Sequence, residues 1–216
     1  MILSIISVRE YSSLTSTSIL SRVVLKHGQQ LDFDHVLTIF FQLASLNGTA
    51  KLDSHSGSYA LKGLIQLLKH YVNKYHLQAT GRILITLEND FGCHVREDER
   101  IRPLFDALLL LTKFRQNELD RLDARSLSEL AYAFAAELDH VYFTNILTEY
   151  IRDELYHDAY STMLIIRALS RRNYRHNRTL DVALHYVHEN KELFTENERE
   201  EIEQYLKKLD YQITDE

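Results

Sequence analysis

Three stretches between Ser126 and Tyr211 carry apolar residues at the spacing of one helix face. In the first, Leu127, Leu130, Ala131, Phe134, Ala135 and Leu138 stand at i, i+3, i+4, i+7, i+8 and i+11, a broad apolar stripe with polar residues behind it. Aligned on their ends, Leu138-Asp139-His140, Arg172-Asn173-Tyr174 and Leu209-Asp210-Tyr211 lie 34 and 37 residues apart. Ala131, Ile165 and Ile202 then share one column, and Ala135, Leu169 and Leu206 another. Such a spacing is that of a two-helix repeat. The second helix of the first block, Tyr142 to Glu154, carries Phe143, Ile146, Leu147, Tyr150 and Ile151; that of the second block carries Leu180, Ala183, Leu184 and Val187. Ser126-x-x-Glu129 and Thr195-x-x-Glu198 read as capping boxes and Asp158 as a helix cap. The predicted fold is all-α, a right-handed α-solenoid of helical hairpins with a period of about 35 residues. Leu127, Leu130, Phe134, Leu164, Leu169, Ile202 and Leu206 are its core.

Upstream the helical rhythm is plainer and the repeat fainter. Asp32 or Asp34 caps a helix through Val36, Ile39, Phe40, Leu43 and Leu46, closed by Asn47-Gly48. Residues 49–57 read as a loop, and Tyr59 to Tyr75 as a helix in which Gly63 marks close packing. Ile83, Leu84, Ile85 and Leu87 suit a strand, but no second strand pattern is available to pair with it. An unpaired strand leaves backbone groups unsatisfied, so the segment Arg82 to Phe91 is predicted helical. Helix resumes near Asp98 or Arg102, with Pro103 in its first turn, and runs to about Gln116. Ala107 to Leu111, apolar nearly all round, is expected to be the most buried part of the array.

The 45% hydrophobic content can fill the core of one repeat array, and a single Pro with six Gly offers little of the punctuation that sheets need. No apolar run reaches the ~18 residues of a membrane helix, so membrane insertion is not expected. One cysteine, Cys93, excludes an intrachain disulfide. The first 26 residues hold seven Ser, three basic residues and one acid, Glu10. That composition suits a mitochondrial targeting segment, while Leu14, Ile19, Val23 and Val24 equally suit a first helix ending at Gly28. Residues 27–216 are then a single helical-repeat domain, clearest over 126–211.

The run Ser126-Leu-Ser-Glu-Leu-Ala-Tyr-Ala-Phe-Ala, and Ala183-Leu-His-Tyr-Val-His-Glu-Asn followed by Leu193-Phe194-Thr195 and a helix ending Leu209-Asp-Tyr, resemble the octotricopeptide and related repeats of FAST-kinase-domain proteins. Those repeats read as a leucine-alanine-tryptophan-alanine-leucine-alanine helix ending in a lysine-leucine-glycine turn. The chain departs from them in having no Trp and no recognisable RAP-like domain at its C-terminus. The resemblance implies an α-solenoid associated with RNA metabolism or ribosomes in mitochondria or plastids.

Signals of catalysis are thin. Asp90-Phe91-Gly92 is the magnesium-holding tripeptide of protein kinases, but neither a glycine-rich loop nor a catalytic-loop motif accompanies it. His185 and His188 stand one turn apart without the His-Glu-x-x-His context of a zinc enzyme. The chain is therefore expected to be no enzyme and to take no cofactor or metal. Charge is more telling. Residues 189–216 hold ten acids and four bases, so the whole net charge of −6 belongs to that end. Just before it stand Arg167, Arg171, Arg172, Arg175 and Arg178, with Tyr174 among them and no acid from 159 to 180. Arginine forks suit phosphate oxygens and a tyrosine ring suits a base. Cations at a helix C-terminus also complement its dipole and could face the acidic end. The leading expectation is a component or assembly factor of a mitochondrial ribonucleoprotein such as the mitoribosome, with these six residues touching RNA phosphates. The alternative is a scaffold or accessory subunit of a mitochondrial multiprotein complex, contacting protein subunits only.

Overall fold

The computed structural model describes residues 17–47, 55–152 and 157–211. Its described residues form ten α-helices and no strand: α1 Thr17–His27, α2 Phe33–Asn47, α3 His55–His70, α4 Leu77–Asn89, α5 Arg102–Phe114, α6 Ala124–Ala133, α7 His140–Arg152, α8 Ala159–Arg172, α9 Asn177–Glu189 and α10 Glu196–Lys208. The all-α class follows. The segment with strand-like residues is α4, and residues 55–57, expected in a loop, open α3; the remainder of that loop and residues 1–16 lie outside the described residues. The chain divides into two compact units, Met1–Tyr75 with Ile83–Leu111, and His76–Arg82 with Thr112–Glu216.

In the first unit α1, α2 and α3 pack on one another. Asp32 accepts from the His35 amide at the head of α2, the cap expected there. Gly63 lets α3 approach α1, for a Cβ on it would stand 3.3 Å from Val24 Cγ1. Phe33 sets its ring edge-on to Tyr71 and Tyr75. The Tyr71 hydroxyl donates to the Leu31 carbonyl. One expectation fails: Leu110 is 57% exposed. On α5, Leu104, Phe105, Leu108 and Thr112 are buried, a single i, i+1, i+4, i+8 stripe, and Leu110 falls on the opposite side of the helix.

In the second unit α8 packs between α6 and α10, α7 packs on α6, and α9 packs on α8 and α7. The three helices of the α6, α8, α10 row begin alike. Asp123, Asp158 and Thr195, 35 and 37 residues apart, each accept from the amide three residues on. Ser126 is thus not the cap it was expected to be; its amide donates to Asp123 Oδ1 at 2.8 Å. The capping box at Thr195 and the cap at Asp158 stand where the sequence puts them. The ends of α8 and α10 match as well. Asn173 and Asp210 both take the left-handed conformation, φ 52° and 50°. Tyr174 N–H then bonds Leu169 O, and Tyr211 N–H bonds Leu206 O. Both tyrosine hydroxyls reach thirty residues back, to Thr144 Oγ1 and Asp181 Oδ1 respectively. α6 departs from this pattern: it ends at Ala133, and Asp139 caps α7 through the Tyr142 amide.

The outward faces of the row differ in kind. Thr162, Met163, Ile166 and Ser170 of α8 are buried. Their counterparts 37 residues on in α10, Arg199, Glu200, Glu203 and Lys207, are exposed and charged.

Candidate functional site

The arginine cluster grows from the end of α8. Its apolar face, with Leu164, Ile165, Ala168 and Leu169 fully or nearly buried, holds the helix between its neighbours; Arg167, Arg171 and Arg172 leave from the rest of its last turns, Arg175 from the connection that follows and Arg178 from the head of α9. Arg167 meets Glu201 of α10 in a two-point bond, Nε to Oε1 at 2.8 Å and Nη2 to Oε2 at 2.6 Å. That hydrogen bond holds the Glu201 carboxyl below its usual range, and Glu201 also accepts from Tyr205. Arg171 lies over the Tyr132 ring, 4.2 Å from its centroid, and donates to the Tyr132 carbonyl and hydroxyl. Arg172 donates to the carbonyls of Ala135 at 2.6 Å and Leu138 at 2.8 Å while lying over Phe143. Arg175 donates to Asn177 Oδ1 and the Asp210 carbonyl and lies over the Tyr211 ring.

Tyr174, expected to stack on a base, is half-buried and packs its ring against His140 and Phe143. Of the six residues only Arg178 has no hydrogen bond among the described residues; it is exposed at the head of α9. With Arg152 and His176 it lines a notch of about 380 Å³. Burial and the neighbouring Arg178 lower the His176 pKa, which keeps the ring neutral at physiological pH, with Nδ1 beside Thr179 Oγ1.

Five of the six residues thus make hydrogen bonds within the protein. The end of a helix leaves carbonyls without intrahelical partners, and Arg172 supplies donors to those that follow α6. One unit further on Lys208 Nζ donates to the Ser170 carbonyl near the end of α8 at 2.6 Å. The basic residues at each helix end thus fasten the end of the helix before it.

Sequence reasoning passed over two further groups. Glu129, read as part of a capping box, is 3% exposed on α6. It receives the Tyr160 hydroxyl at 3.3 Å and stands 3.6 Å from Arg125 Nε, with Arg82 acting on it as well. Burial raises its carboxyl pKa against the pull of both arginines. A group whose pKa is higher folded than unfolded contributes stability that is present below the unfolded value, near ~4.3, and lost as pH rises through the folded one. The difference in melting temperature between wild type and Glu129→Gln is therefore expected to shift against wild type as pH rises from 4 to 7. A difference that moves the other way would mean that Arg82 and Arg125 outweigh burial.

The second group lines a cavity in the first unit between α3 and residues 91–101, of about 650 Å³. Its signal was the non-helical run from Asp90, where Gly92 takes φ 62°. No group of three or more His, Cys, Asp or Glu suited to a metal occurs among the described residues, and no described helix is long and apolar enough to cross a membrane. No protein-family model matches the chain, and no curated protein or solved structure matches it either.

Proposed function

We propose that this chain is a non-catalytic α-solenoid segment, serving as a scaffold or accessory subunit in a multiprotein complex of the mitochondrion. The observation that carries the reading is the repeated fastening of one helix end by the next unit, Arg172 to Ala135 and Leu138, then Lys208 to Ser170. It turns the most concentrated positive charge of the sequence into a seam between neighbouring helix ends of the second unit. What remains for partners is the side surface of a stack, the part that helical-repeat proteins offer as an extended binding face. The N-terminal composition supports the mitochondrial address, and the likeness to octotricopeptide repeats supports the setting.

A second reading has one observation in its favour. Arg178, free of internal bonds among the described residues, stands at a notch where Arg152 is paired with Glu149, and an unpaired guanidinium there suits a phosphate oxygen. In that reading the chain is a component or assembly factor of a mitochondrial ribonucleoprotein. Crosslinking the native protein in cells and recovering it separates the two. Stoichiometric protein partners without RNA are expected, unchanged by Arg178→Glu. Recovery of organellar RNA that Arg178→Glu abolishes would overturn the scaffold reading in favour of the second.

A further inference from the structure

We propose that the cavity between α3 and residues 91–101 binds a small amphipathic anion, with its apolar body against Leu61, Ile65, Phe91 and Ile101 and its anionic group beside Lys62. At about 650 Å³ the space falls within the range of roughly 300–1,000 Å³ usual for small-molecule sites.

Both walls are fixed. On α3 the lining residues Leu61, Lys62, Ile65 and Gln66 recur at one helical turn, so one strip of the helix faces the space. The opposite wall is irregular chain, which ordinarily collapses or moves unless braced. Here it is braced throughout: Cys93 N–H bonds Leu87 O, the amides of Glu97 and Asp98 bond His94 O, and Ile101 N–H bonds Asp98 O. Arg96 is tied to Glu88 at 2.8 Å and lies over Phe105. Phe91 rests on Phe40, ring centroids 5.4 Å apart. The wall stands away from α3 without needing a ligand to shape it.

Lys62 marks the place for an anionic group on the α3 wall. Asp98 is already neutralised: Arg100 Nε reaches Oδ1 at 2.8 Å and Nη2 reaches Oδ2, which pulls the Asp98 carboxyl down to about 2. Lys62 has no internal partner among the described residues and stands on the α3 wall with its ammonium open to an anion. His94 adds donors, and Glu97 is the one uncompensated acid on the rim. Burial and Asp98 raise the Cys93 thiol pKa, so the sulfur lines the cavity mainly as a neutral, weakly polar surface and alkylates slowly, through its thiolate fraction. It is also a reporter, being the only thiol in the chain.

The test is calorimetric titration of the full chain with decanoate below its micellar range, with decylamine as the cationic counterpart, while alkylation of Cys93 by iodoacetamide is timed. Saturable binding of one decanoate per chain is expected, with Cys93 alkylation slowed several-fold. Lys62→Glu, at an exposed position, should weaken decanoate by at least about ten-fold without changing the helical circular dichroism. Leu61→Trp, which fills the space from a half-buried position, should abolish binding. Equal affinity for decylamine, unprotected Cys93, or binding indifferent to both substitutions would each overturn the proposal.

Discussion

Gly81→Ala is expected to lower the stability of this protein by about 2–3 kcal/mol, although the same change in most helices raises it. Gly81 lies in α4, against α6. A Cβ placed there would stand 2.6 Å from the Glu129 carbonyl carbon, 2.7 Å from its oxygen and 2.7 Å from the Leu130 nitrogen. All three are backbone atoms inside a buried helix, so no rotamer change relieves the clash; the helices must separate. Helix propensity favours alanine by at most about 1 kcal/mol. Overpacking against immovable backbone outweighs that, and a melting temperature lower by roughly 5–10 °C should follow in a chain of this length. Gly63→Ala is the control. Its Cβ would meet only the Val24 Cγ1 methyl at 3.3 Å, a side chain that can turn, and the change should be nearly neutral. If Gly81→Ala melts with wild type, the close approach of α4 and α6 is wrong.

The second large effect concerns Arg172. Arg172→Met keeps the apolar stem over Phe143 but removes the two bonds to the Ala135 and Leu138 carbonyls. Hydrogen bonds from a charged donor contribute about 1.5–3 kcal/mol when their partner is left unsatisfied. Arg172 is half-buried, so its two bonds together are expected to contribute about 2–3 kcal/mol, read as a lower urea midpoint with an unchanged slope. Arg178→Met, at an exposed position with no bond to lose, should fall within about 0.5 kcal/mol of wild type. An arginine kept for a ligand behaves like Arg178; one built into a seam behaves like Arg172. Urea titration of the two variants side by side checks the distinction.

Much of this was legible in the residues, because caps and periodicity are local. Asp32, Asp158 and Thr195 cap where an Asp or Thr precedes an apolar helical series, and the Leu-Asp-Tyr and Arg-Asn-Tyr ends match to the level of a left-handed residue. The Ser126 capping box failed because Asp123, three residues earlier, offers the stronger acceptor and its helix begins there. Glu129 was then pulled into the interior, where only Arg82, Arg125 and Tyr160 from distant or neighbouring turns could receive it. The arginine cluster was found, and the acidic end it could face does supply one partner, Glu201 to Arg167; the other partners were not found. Three of the five bind backbone carbonyls, and every residue carries one, so composition holds no trace of them. Gly81 went unread as well: the segment predicted helical began at Arg82, and only the structure sets the glycine inside α4.

The seam between helix ends of the second unit bears the whole functional reading, and amide hydrogen exchange on wild type, Arg172→Met and Arg178→Met tests it most directly. Local opening energies are read residue by residue in such an experiment. Arg172→Met should lose protection at the end of α6 and along the last turns of α8 together, while Arg178→Met leaves the pattern of wild type. Unaltered protection in Arg172→Met would contradict the account, for it would leave the arginines available to a ligand outside the chain.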